Sequence, residues 1–413
     1  MDIRITPAAL DGCVMAPPSK SAAHRAFICA ALADGESRIK TDGMSEDTAA
    51  TVRCLEAAGA VISRRDGAVN VAPIKNPPSK AVFDCGESGS TLRFMLPVAA
   101  ALGIEAEFTG GGKLPERPIE PLLEAMREHG VSVGSGFPIK ISGRLAPGRY
   151  EIAGNVSSQF ITGLLLALPL CRGESELKIL PPVESKPYID ITVSVLEKFG
   201  ASLVKNEDGF IVYPSRFHAA DLTVEGDWSN AAFWLACGAG VRGLDADSAQ
   251  GDKRIIEILK KFGAEISDDN GCFRASMENM HSADIDAADI PDLVPIISVI
   301  ASAARGKTVI YNASRLRLKE SDRLKTTAAM INSLGGSARE TGDGLVIEGS
   351  GGLRGGEVDG GGDHRIVMSA AAASVFCDSE VVIRGAQAVT KSYPDFFEKF
   401  NRLGGKANVM QLR

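Results

Sequence analysis

The chain has 413 residues, 45 Lys and Arg against 52 Asp and Glu, a formal net charge of −7 and 45% apolar residues. This composition is typical of a soluble globular protein and disfavours intrinsic disorder. Because single cores rarely grow beyond roughly 250–300 residues, the length predicts two domains. A net acidic chain has no overall field that attracts nucleic acid or an anionic membrane, so an anionic ligand must be held by locally gathered cations.

The N-terminal segment lacks a charged region followed by an apolar core, and the longest strongly apolar stretch, 160–170, is about half of a membrane span. We therefore expect a cytosolic protein. In that reducing compartment the eight cysteines are expected to be small buried apolar residues without disulfides: Cys13, Cys29, Cys54, Cys85, Cys171, Cys237, Cys272 and Cys377. The five histidines show no paired-ligand spacing, so we expect no metal.

A repeat of about 70 residues organises the chain. Six amphipathic helical segments each end in a glycine, at Gly59, Gly130, Gly200, Gly263, Gly335 and Gly404. A glycine just past an apolar-periodic run is the expected left-handed C-terminal cap. Another helix precedes each of these segments, opening near Ser19, Gly89, Ser157, Ser229, Asp292 and Asp363. Alternating runs around Asp-Gly, Asn-Gly or Ser-Gly pairs follow the capping glycines and predict hairpins.

Each repeat is therefore predicted to be a β-α-β-α-β-β unit in an α/β protein. The sixth repeat ends too early for both hairpin strands, so we expect the strand-like N-terminus, MDIRIT, to complete it. Two globular domains of three repeats follow. We place repeats one to three in an N-terminal domain, 13–224, and repeats four to six in a C-terminal domain, 1–12 plus 225–413, with a ligand cleft between them.

Polar and basic residues recur where the first helix of each repeat begins. A helix N-terminus presents free N–H groups and a positive dipole end, so several converging termini predict a polyanion site. These residues are Lys20, Ser21, Arg25, Gly89, Arg93, Ser157, Ser158, Gln159, Asp292, His364 and Arg365. Further polar residues precede or open the second helices: Arg117, Ser185, Tyr188, Lys319, Glu320, Arg323 and Lys391. The competing interpretation, helix caps and solvated helix starts, is weakened by their recurrence at matching repeat positions.

Nine motifs in order resemble the EPSP synthase (3-phosphoshikimate 1-carboxyvinyltransferase) family. They are PPSKSAAHRA, CGESGSTLRF, LPERPIEPL, SSQFITGLLLALPL, ESKPYIDIT, IPDLVP, LKESDRL, GGDHRIVM and TKSYPDFF, and they run from about residue 15 to residue 397. The resemblance implies the enolpyruvyl transferase fold of two three-repeat domains. It also implies transfer of the enolpyruvyl group of phosphoenolpyruvate to the 5-hydroxyl of shikimate 3-phosphate, through a tetrahedral adduct, on the shikimate pathway to chorismate.

The resemblance also assigns roles to residues. Shikimate 3-phosphate would be held by Lys20, Ser21, Arg25, Ser157, Ser158, Gln159, Ser185, Asp292 and Lys319. Phosphoenolpyruvate would be held by Lys20, Gly89, Arg117, Gln159, Arg323, Arg365 and Lys391. Of the expected catalytic residues, Asp292 would take the 5-hydroxyl proton, Glu320 would handle a proton at the methylene group, and Lys20 would serve both substrates. No metal or organic cofactor, nucleic acid or membrane partner is expected, and we expect a monomer.

Some residues depart from the commoner family pattern, and rival functions remain. The departures are His24, Glu87, Phe94 and Arg315. The nearest rival is the enolpyruvyl transferase that acts on UDP-N-acetylglucosamine, which uses a loop cysteine that residues 110–118 lack here. An RNA-end-processing enzyme of related repeat is disfavoured by the acidic balance. A non-enzymatic scaffold would keep the repeats without these charged residues.

Overall fold

The computed structural model of the protein describes residues 1–410. These residues divide into two compact units, one formed by Pro18–Val224 and the other by Met1–Pro17 together with residues 225–410. We call them the N-terminal unit and the C-terminal unit. No helix among the described residues is both long and apolar enough to cross a membrane.

Helices and strands alternate along the described chain. Strands β1 to β24 span Asp2–Thr6, Cys13–Met15, Ser37–Lys40, Val61–Arg65, Ala68–Ala72, Lys80–Asp84, Glu105–Thr109, Val131–Val133, Ile139–Gly143, Arg149–Ala153, Ser175–Leu180, Leu203–Lys205, Gly209–Val212, Asp221–Thr223, Gly240–Arg242, Glu265–Asp268, Phe273–Ser276, Ile285–Asp286, Arg305–Tyr311, Ser337–Glu340, Leu345–Ser350, Gly356–Asp359, Val381–Arg384 and Lys406–Met410. Helices α1 to α12 span Lys20–Leu32, Glu46–Ala57, Gly89–Leu102, Glu120–Arg127, Ser158–Ala167, Lys186–Lys198, Trp228–Ala236, Ile255–Lys261, Val294–Ala303, Arg323–Ser333, His364–Ala373 and Phe396–Arg402. Short 3₁₀ helices lie at Leu114–Glu116, Leu168–Leu170, Gly251–Arg254, Pro291–Leu293, Ser314–Leu318, Ser374–Phe376 and Ala386–Lys391.

The strands of residues 1–410 form six four-stranded sheets of one design. In the sheet of the second repeat, β6 runs parallel to β7, β7 pairs antiparallel with β9, and β8 closes the hairpin with β9. The parallel pair β6 and β7 is joined through α3, and the antiparallel pair β8 and β9 through the short loop 134–138, as the two strand directions require. The predicted α/β fold of six β-α-β-α-β-β repeats is confirmed.

The N-terminal strand completes the sixth repeat, as its truncated sequence predicts. Strand β1 pairs antiparallel with both β23 and β24, and its Ile3 and Ile5 are buried. The alternation of buried and exposed residues along DIRIT gives one apolar face to the core.

The two compact units divide between Pro17 and Pro18, a few residues after the predicted boundary at residue 13. Strand β2 pairs parallel with β15 of the fourth repeat, in register Cys13 with Gly240, and therefore belongs to the C-terminal unit. Its counterpart β14 pairs parallel with β3 of the first repeat. The first and fourth repeats have thus exchanged their opening strands. Local sequence does not distinguish the two pairings, because both short strands precede equivalent helices.

The first helix of each repeat forms the interior of its unit. Along α5, Phe160, Ile161 and Leu164 are completely buried, and polar residues are concentrated toward its N-terminal end. Each fully buried Leu or Ile contributes about 1.5–3 kcal/mol of hydrophobic free energy. The second helices end as predicted: all six capping glycines have positive φ, from 80° at Gly200 to 106° at Gly59.

The cysteine expectation is wrong for one pair. Cys13 is exposed and forms a disulfide with Cys272. The two residues lie on opposite sides of β15, and Gly240 lies between them. A Cβ atom on Gly240 would lie 2.7 Å from the Cys272 sulfur, so the absence of a side chain there lets the sulfurs meet. The other six cysteines are buried thiols.

Candidate active site

In the N-terminal unit the side chain of Arg25, which extends from α1, is buried. Its guanidinium group makes four hydrogen bonds, all to neutral oxygens: Thr192 Oγ1 at 2.7 Å, Ser21 O at 2.6 Å, Tyr188 O at 3.0 Å and Thr162 Oγ1 at 3.1 Å. It also lies 5.0 Å from the centre of the Phe94 ring. Burial lowers the pKa of Arg25 to about 9, which still leaves it protonated at neutral pH.

The starts of α3 and α5 meet through Gln159. Arg93 Nη1 donates to Gln159 Oε1 at 2.9 Å, and Gln159 Nε2 donates to Ser90 Oγ at 2.8 Å. The hydroxyl of Ser157 caps α5 by accepting from the backbone N–H of Gln159. The predicted residues at the start of the third repeat therefore lie beside those of the second.

Gly89 and Arg117 are in direct contact. A Cβ atom on Gly89 would lie 2.6 Å from Arg117 Nη1 and 2.5 Å from Arg93 Nη1, so only glycine lets two guanidinium groups approach the start of α3. Lys20, at the start of α1, forms an ion pair with Asp47 of α2 at 2.8 Å. Arg93, which is buried, and Arg117, which is partly exposed, thus place two positive charges at a helix N-terminus, an arrangement that favours anion binding.

Ser185 lies immediately before α6 in a left-handed conformation, with φ of 53°, and is 3% exposed. A non-glycine residue held in this region of backbone space carries a conformational cost of about 1–3 kcal/mol. Such strain persists only where surrounding structure enforces it. The conformation places the Ser185 residue at the entry to the helix that supplies Tyr188 to Arg25.

A buried chain of side-chain hydrogen bonds links α1 to the start of α3. His24 Nδ1 lies 2.7 Å from Thr51 Oγ1, Thr51 lies 2.8 Å from Thr91 Oγ1, and Thr91 donates to Ser88 Oγ at 2.8 Å. Burial holds the pKa of His24 well below its usual range, so the ring is neutral. His24 and Phe94, two departures from the family pattern, are in edge-to-face contact with ring centres 6.2 Å apart.

In the C-terminal unit a second cluster surrounds Arg323, at the start of α10. Its guanidinium group donates to three carboxylates: Asp292 Oδ1 at 2.7 Å, Glu320 Oε2 at 2.6 Å and Asp363 Oδ2 at 2.8 Å. Arg323 is 1% exposed and Asp363 is completely buried. These three carboxylates hold the pKa of Arg323 well above its usual range, against the effect of burial.

Asp292 is shared between two arginines. It lies in the 3₁₀ helix before α9, where Oδ1 accepts from Arg323 and Oδ2 accepts from Arg365 Nη2 at 3.2 Å. Burial opposes its ionisation, but Arg365, Lys319 and Arg323 together hold the pKa of Asp292 well below its usual range. Without a bound anion, Asp292 is therefore an ionised but weak base.

The remaining predicted cations lie next to this pair. Burial lowers the pKa of Lys319 to about 8, and Lys319 interacts electrostatically with Asp292 and Glu320. Lys391 Nζ donates to Gly362 O at 2.7 Å, one residue before Asp363. Arg315, a departure from the family pattern, is 7% exposed and donates to Ala288 O.

The predicted site residues fall into two sets, one in each unit, and hydrogen bonds join members within each set. We call them the N-terminal cluster (Lys20, Ser21, Arg25, Gly89, Arg117, Ser157, Ser158, Gln159 and Ser185) and the C-terminal cluster (Asp292, Lys319, Glu320, Arg323, Arg365 and Lys391). Sequence reasoning missed three residues that hold these side chains: Asp47, Thr162 and Thr192. The available signal for Thr162 is a hydroxyl in the otherwise apolar run FITGLLLALPL.

Comparison with known proteins gives one consistent result. A family model described as EPSP synthase (3-phosphoshikimate 1-carboxyvinyltransferase) matches residues 5–400. Proteins named 3-phosphoshikimate 1-carboxyvinyltransferase are similar over nearly the full length: that of Clostridium kluyveri is 43% identical, covering 98% of this chain and 97% of the relative, and that of Clostridium novyi is 40% identical, covering 98% of each. The solved structure of EPSP synthase from Acinetobacter baumannii has a TM-score of 0.83 and 26% identity, covering 99% of this chain and all of that chain.

Proposed function

Because the chain belongs to the EPSP synthase family, we propose that it transfers the enolpyruvyl group of phosphoenolpyruvate to the 5-hydroxyl of shikimate 3-phosphate, with release of phosphate. The products are 5-enolpyruvylshikimate 3-phosphate and phosphate. The reaction joins two polyanions, which together carry roughly five negative charges at neutral pH. Two clusters rich in lysine and arginine match that requirement.

The position of Asp292 between two arginines is the observation that carries the mechanism. A base for the 5-hydroxyl must be ionised and must be able to accept a proton. Asp292 is ionised because Arg323 and Arg365 each donate to one of its oxygens. The same contacts make it a weak base while no substrate competes for the arginines.

Binding of phosphoenolpyruvate would strengthen this base. Its carboxylate and phosphate compete with Asp292 for Arg323 and Arg365, because guanidinium groups bind such anions through two parallel hydrogen bonds. Each arginine that turns to the substrate removes positive charge from Asp292 and raises its affinity for a proton. The base is then active when the second substrate is present.

The other residues divide by cluster. In the N-terminal cluster, Arg25, Ser157, Ser158, Gln159 and Ser185 would hold shikimate 3-phosphate, Arg25 with a guanidinium group already oriented by four neutral oxygens. Ser21 would also hold shikimate 3-phosphate. Gly89, Arg117 and Gln159 would hold phosphoenolpyruvate, and Lys20 would bind both substrates.

In the C-terminal cluster, Glu320 would give a proton to the methylene carbon and take one back when the tetrahedral adduct collapses. Lys319 would bind shikimate 3-phosphate, and Lys391 would neutralise the leaving phosphate. Arg365 and Arg323 would hold phosphoenolpyruvate and stabilise the negative charge of the adduct. No step of this scheme requires a metal ion, since the cations supply the electrostatic stabilisation.

The direct test is phosphate release from purified protein given phosphoenolpyruvate. We expect release with shikimate 3-phosphate and none without it. UDP-N-acetylglucosamine is the control acceptor, because the rival enolpyruvyl transferase uses it. The proposal is wrong if folded protein releases no phosphate with shikimate 3-phosphate, or releases it as fast with UDP-N-acetylglucosamine.

A cytosolic, monomeric enzyme with small-molecule substrates as its partners is part of the same proposal. Each unit has three complete sheets and its own buried helices, which supports a chain that folds without a partner. Light scattering coupled to size-exclusion chromatography should give a single species near 43.4 kDa. A mass near twice that value would contradict the monomer.

A further inference from the structure

A buried carboxyl group that the mechanism above does not use lies beside the C-terminal cluster. Asp252 is in the 3₁₀ helix Gly251–Arg254 and is 3% exposed. The Ser229 hydroxyl, on α7, donates a hydrogen bond to Asp252 Oδ2. The segment is anchored through Gln250, which accepts from Trp228 N at 3.0 Å and donates to Gly226 O at 2.8 Å. Hydrogen bonds of Asp252 and Gln250 therefore fix this segment against the start of α7.

Ser229, the hydrogen-bond partner of Asp252, occupies a repeat position that holds predicted site residues in other repeats. Ser229 is the second residue of the first helix of its repeat. The equivalent residues in other repeats are Ser21, Ser90, Gln159 and Arg365, which follow the helix starts of α1, α3, α5 and α11. In the fourth repeat the residue at this position, Ser229, donates its hydroxyl hydrogen bond to the buried Asp252.

The charged groups that face Asp252 come from three other elements. The 3₁₀ helix that carries Asp252 packs against α7, and α7 also packs against the 3₁₀ helix that carries Asp292 and against α11, which carries Arg365. Asp292, Arg365 and the α7 cap residue Asp227 all act electrostatically on Asp252. In its own segment, Lys253 and Arg254 are partly exposed. Burial, and next the negative charge of Asp292, raise the pKa of Asp252 to about 7, while the Ser229 hydrogen bond and Arg365 act in the opposite direction.

We propose that Asp252 is a positioning residue that controls the basicity of Asp292: when its carboxyl group ionises, the added negative charge beside Asp292 makes that carboxylate a stronger acceptor for the 5-hydroxyl proton. The proton that Asp252 loses goes to solvent. The ionised group also attracts Arg365, which otherwise stabilises the unprotonated form of Asp292. This inference rests on the proposed function, because it assigns Asp292 the role of base.

The kinetic test is the pH profile of kcat at saturating substrates. Wild-type kcat should rise between pH 6 and pH 8, as Asp252 ionises. Asp252→Asn should match the wild type near pH 6, where both carry a neutral group, and fall about three- to tenfold below it at pH 8. Asp247→Asn, an exposed carboxyl in the same loop, should keep the wild-type profile. A loss in Asp252→Asn that is equal at every pH, or an unchanged profile, overturns the proposal.

Ser229→Ala gives a second variant with a different expected result. It removes the hydrogen bond that stabilises the Asp252 carboxylate, so the rise in kcat should move to higher pH instead of disappearing. An inflection at the wild-type pH would contradict the role assigned to Asp252.

A titration without turnover separates this inference from the proposed function. In protein labelled with ¹³C at aspartate carboxyl carbons, one resonance should titrate near pH 7 and be absent from Asp252→Asn. In Asp292→Asn the same resonance should titrate at lower pH, because the like charge that raises the pKa of Asp252 is gone. An unchanged inflection in Asp292→Asn disproves the coupling even if the wild type releases phosphate. If the wild type releases none, the proposed function fails while this titration still measures the coupling.

Discussion

The two clusters hold their buried arginines in opposite ways. In the N-terminal cluster, Arg25 makes all four of its hydrogen bonds to hydroxyl and carbonyl oxygens. In the C-terminal cluster, Arg323 donates to the carboxylates of Asp292, Glu320 and Asp363. Neutral oxygens orient a guanidinium group without cancelling its charge, whereas carboxylates cancel the charge and must be displaced by an incoming anion.

The two ways of holding an arginine suit two different functions in anion binding. A positive charge held by neutral oxygens binds an anion with little rearrangement, which suits a substrate that binds by its phosphate and stays in place. A charge held by carboxylates couples anion binding to the release of a base, which suits the proton transfer that we propose for the C-terminal cluster. The following predictions test this contrast, from the largest expected effect to the smallest.

Replacement of the shared carboxylate should have the largest effect. In Asp292→Asn we expect kcat to fall by about 10²–10⁴-fold, because general base catalysis is lost, while affinity for shikimate 3-phosphate is mostly kept. Phosphate-release kinetics and isothermal titration measure the two quantities. A melting temperature within a few degrees of the wild type is the control for folding. A kcat within tenfold of the wild type would remove Asp292 from the mechanism.

Removal of the central cation should strongly affect stability. Arg323→Ala leaves Asp363, which is completely buried, and Asp292 without a main counter-charge, and we expect the free energy of unfolding to fall by about 3–5 kcal/mol in urea denaturation. The matched control is Lys80→Ala, which breaks the exposed ion pair with Glu105 and should change it by about 0–1 kcal/mol. Equal effects of the two substitutions would contradict the contrast between buried and surface pairs.

In the N-terminal cluster the effect should appear in binding. Thr192→Val removes the hydroxyl that accepts from Arg25 Nε at 2.7 Å, and we expect about tenfold weaker binding of shikimate 3-phosphate, roughly 1.4 kcal/mol. Isothermal titration measures the affinity. Thr223→Val, at an exposed position of β14, is the control. Unchanged affinity in Thr192→Val would show that Arg25 does not need its neutral oxygens.

The smallest expected effect is a pH dependence at Lys319. Burial lowers the pKa of Lys319 to about 8, so its positive charge is present below that pH and is lost as the pH rises through it. We expect shikimate 3-phosphate to bind about threefold more weakly at pH 8.5 than at pH 7. Lys319→Arg keeps its charge over this range and should abolish the loss, although its absolute affinity differs. If affinity for shikimate 3-phosphate falls equally with pH in both proteins, Lys319 is not the group responsible.

Much of the fold was predictable because its signals are local. The six glycines that cap the second helices, such as Gly59 and Gly404, all have the predicted positive φ. The sixth repeat lacks a hairpin strand in the sequence, which predicts the pairing of β1 with β24 that the structure shows. The exchange of β2 and β14 was not predictable, because both strands suit either sheet and the choice depends on contacts between residues distant in the chain.

The candidate site shows the same limit. The motifs that resemble the family contain Arg25, Asp292 and Arg323, which the structure places at the centres of the two clusters. The motifs do not identify the residues that surround these side chains and determine their charge state. In the sequence, Thr192 is one polar residue in a predicted helix and Asp252 is one carboxylate in a predicted loop. The neighbouring residues predict neither their burial nor their hydrogen-bond partners in other elements.

The sequence by itself determined the repeat, the positions of the helix starts and caps, and the identity of the cations, because each depends on residues within one turn or one hairpin. Only the tertiary structure decided which oxygens surround each cation. Arg25 meets hydroxyls from α5 and α6, and Arg323 meets carboxylates from three separate segments. Charge compensation is a property of distances between elements, and those distances exist only once the helices have packed.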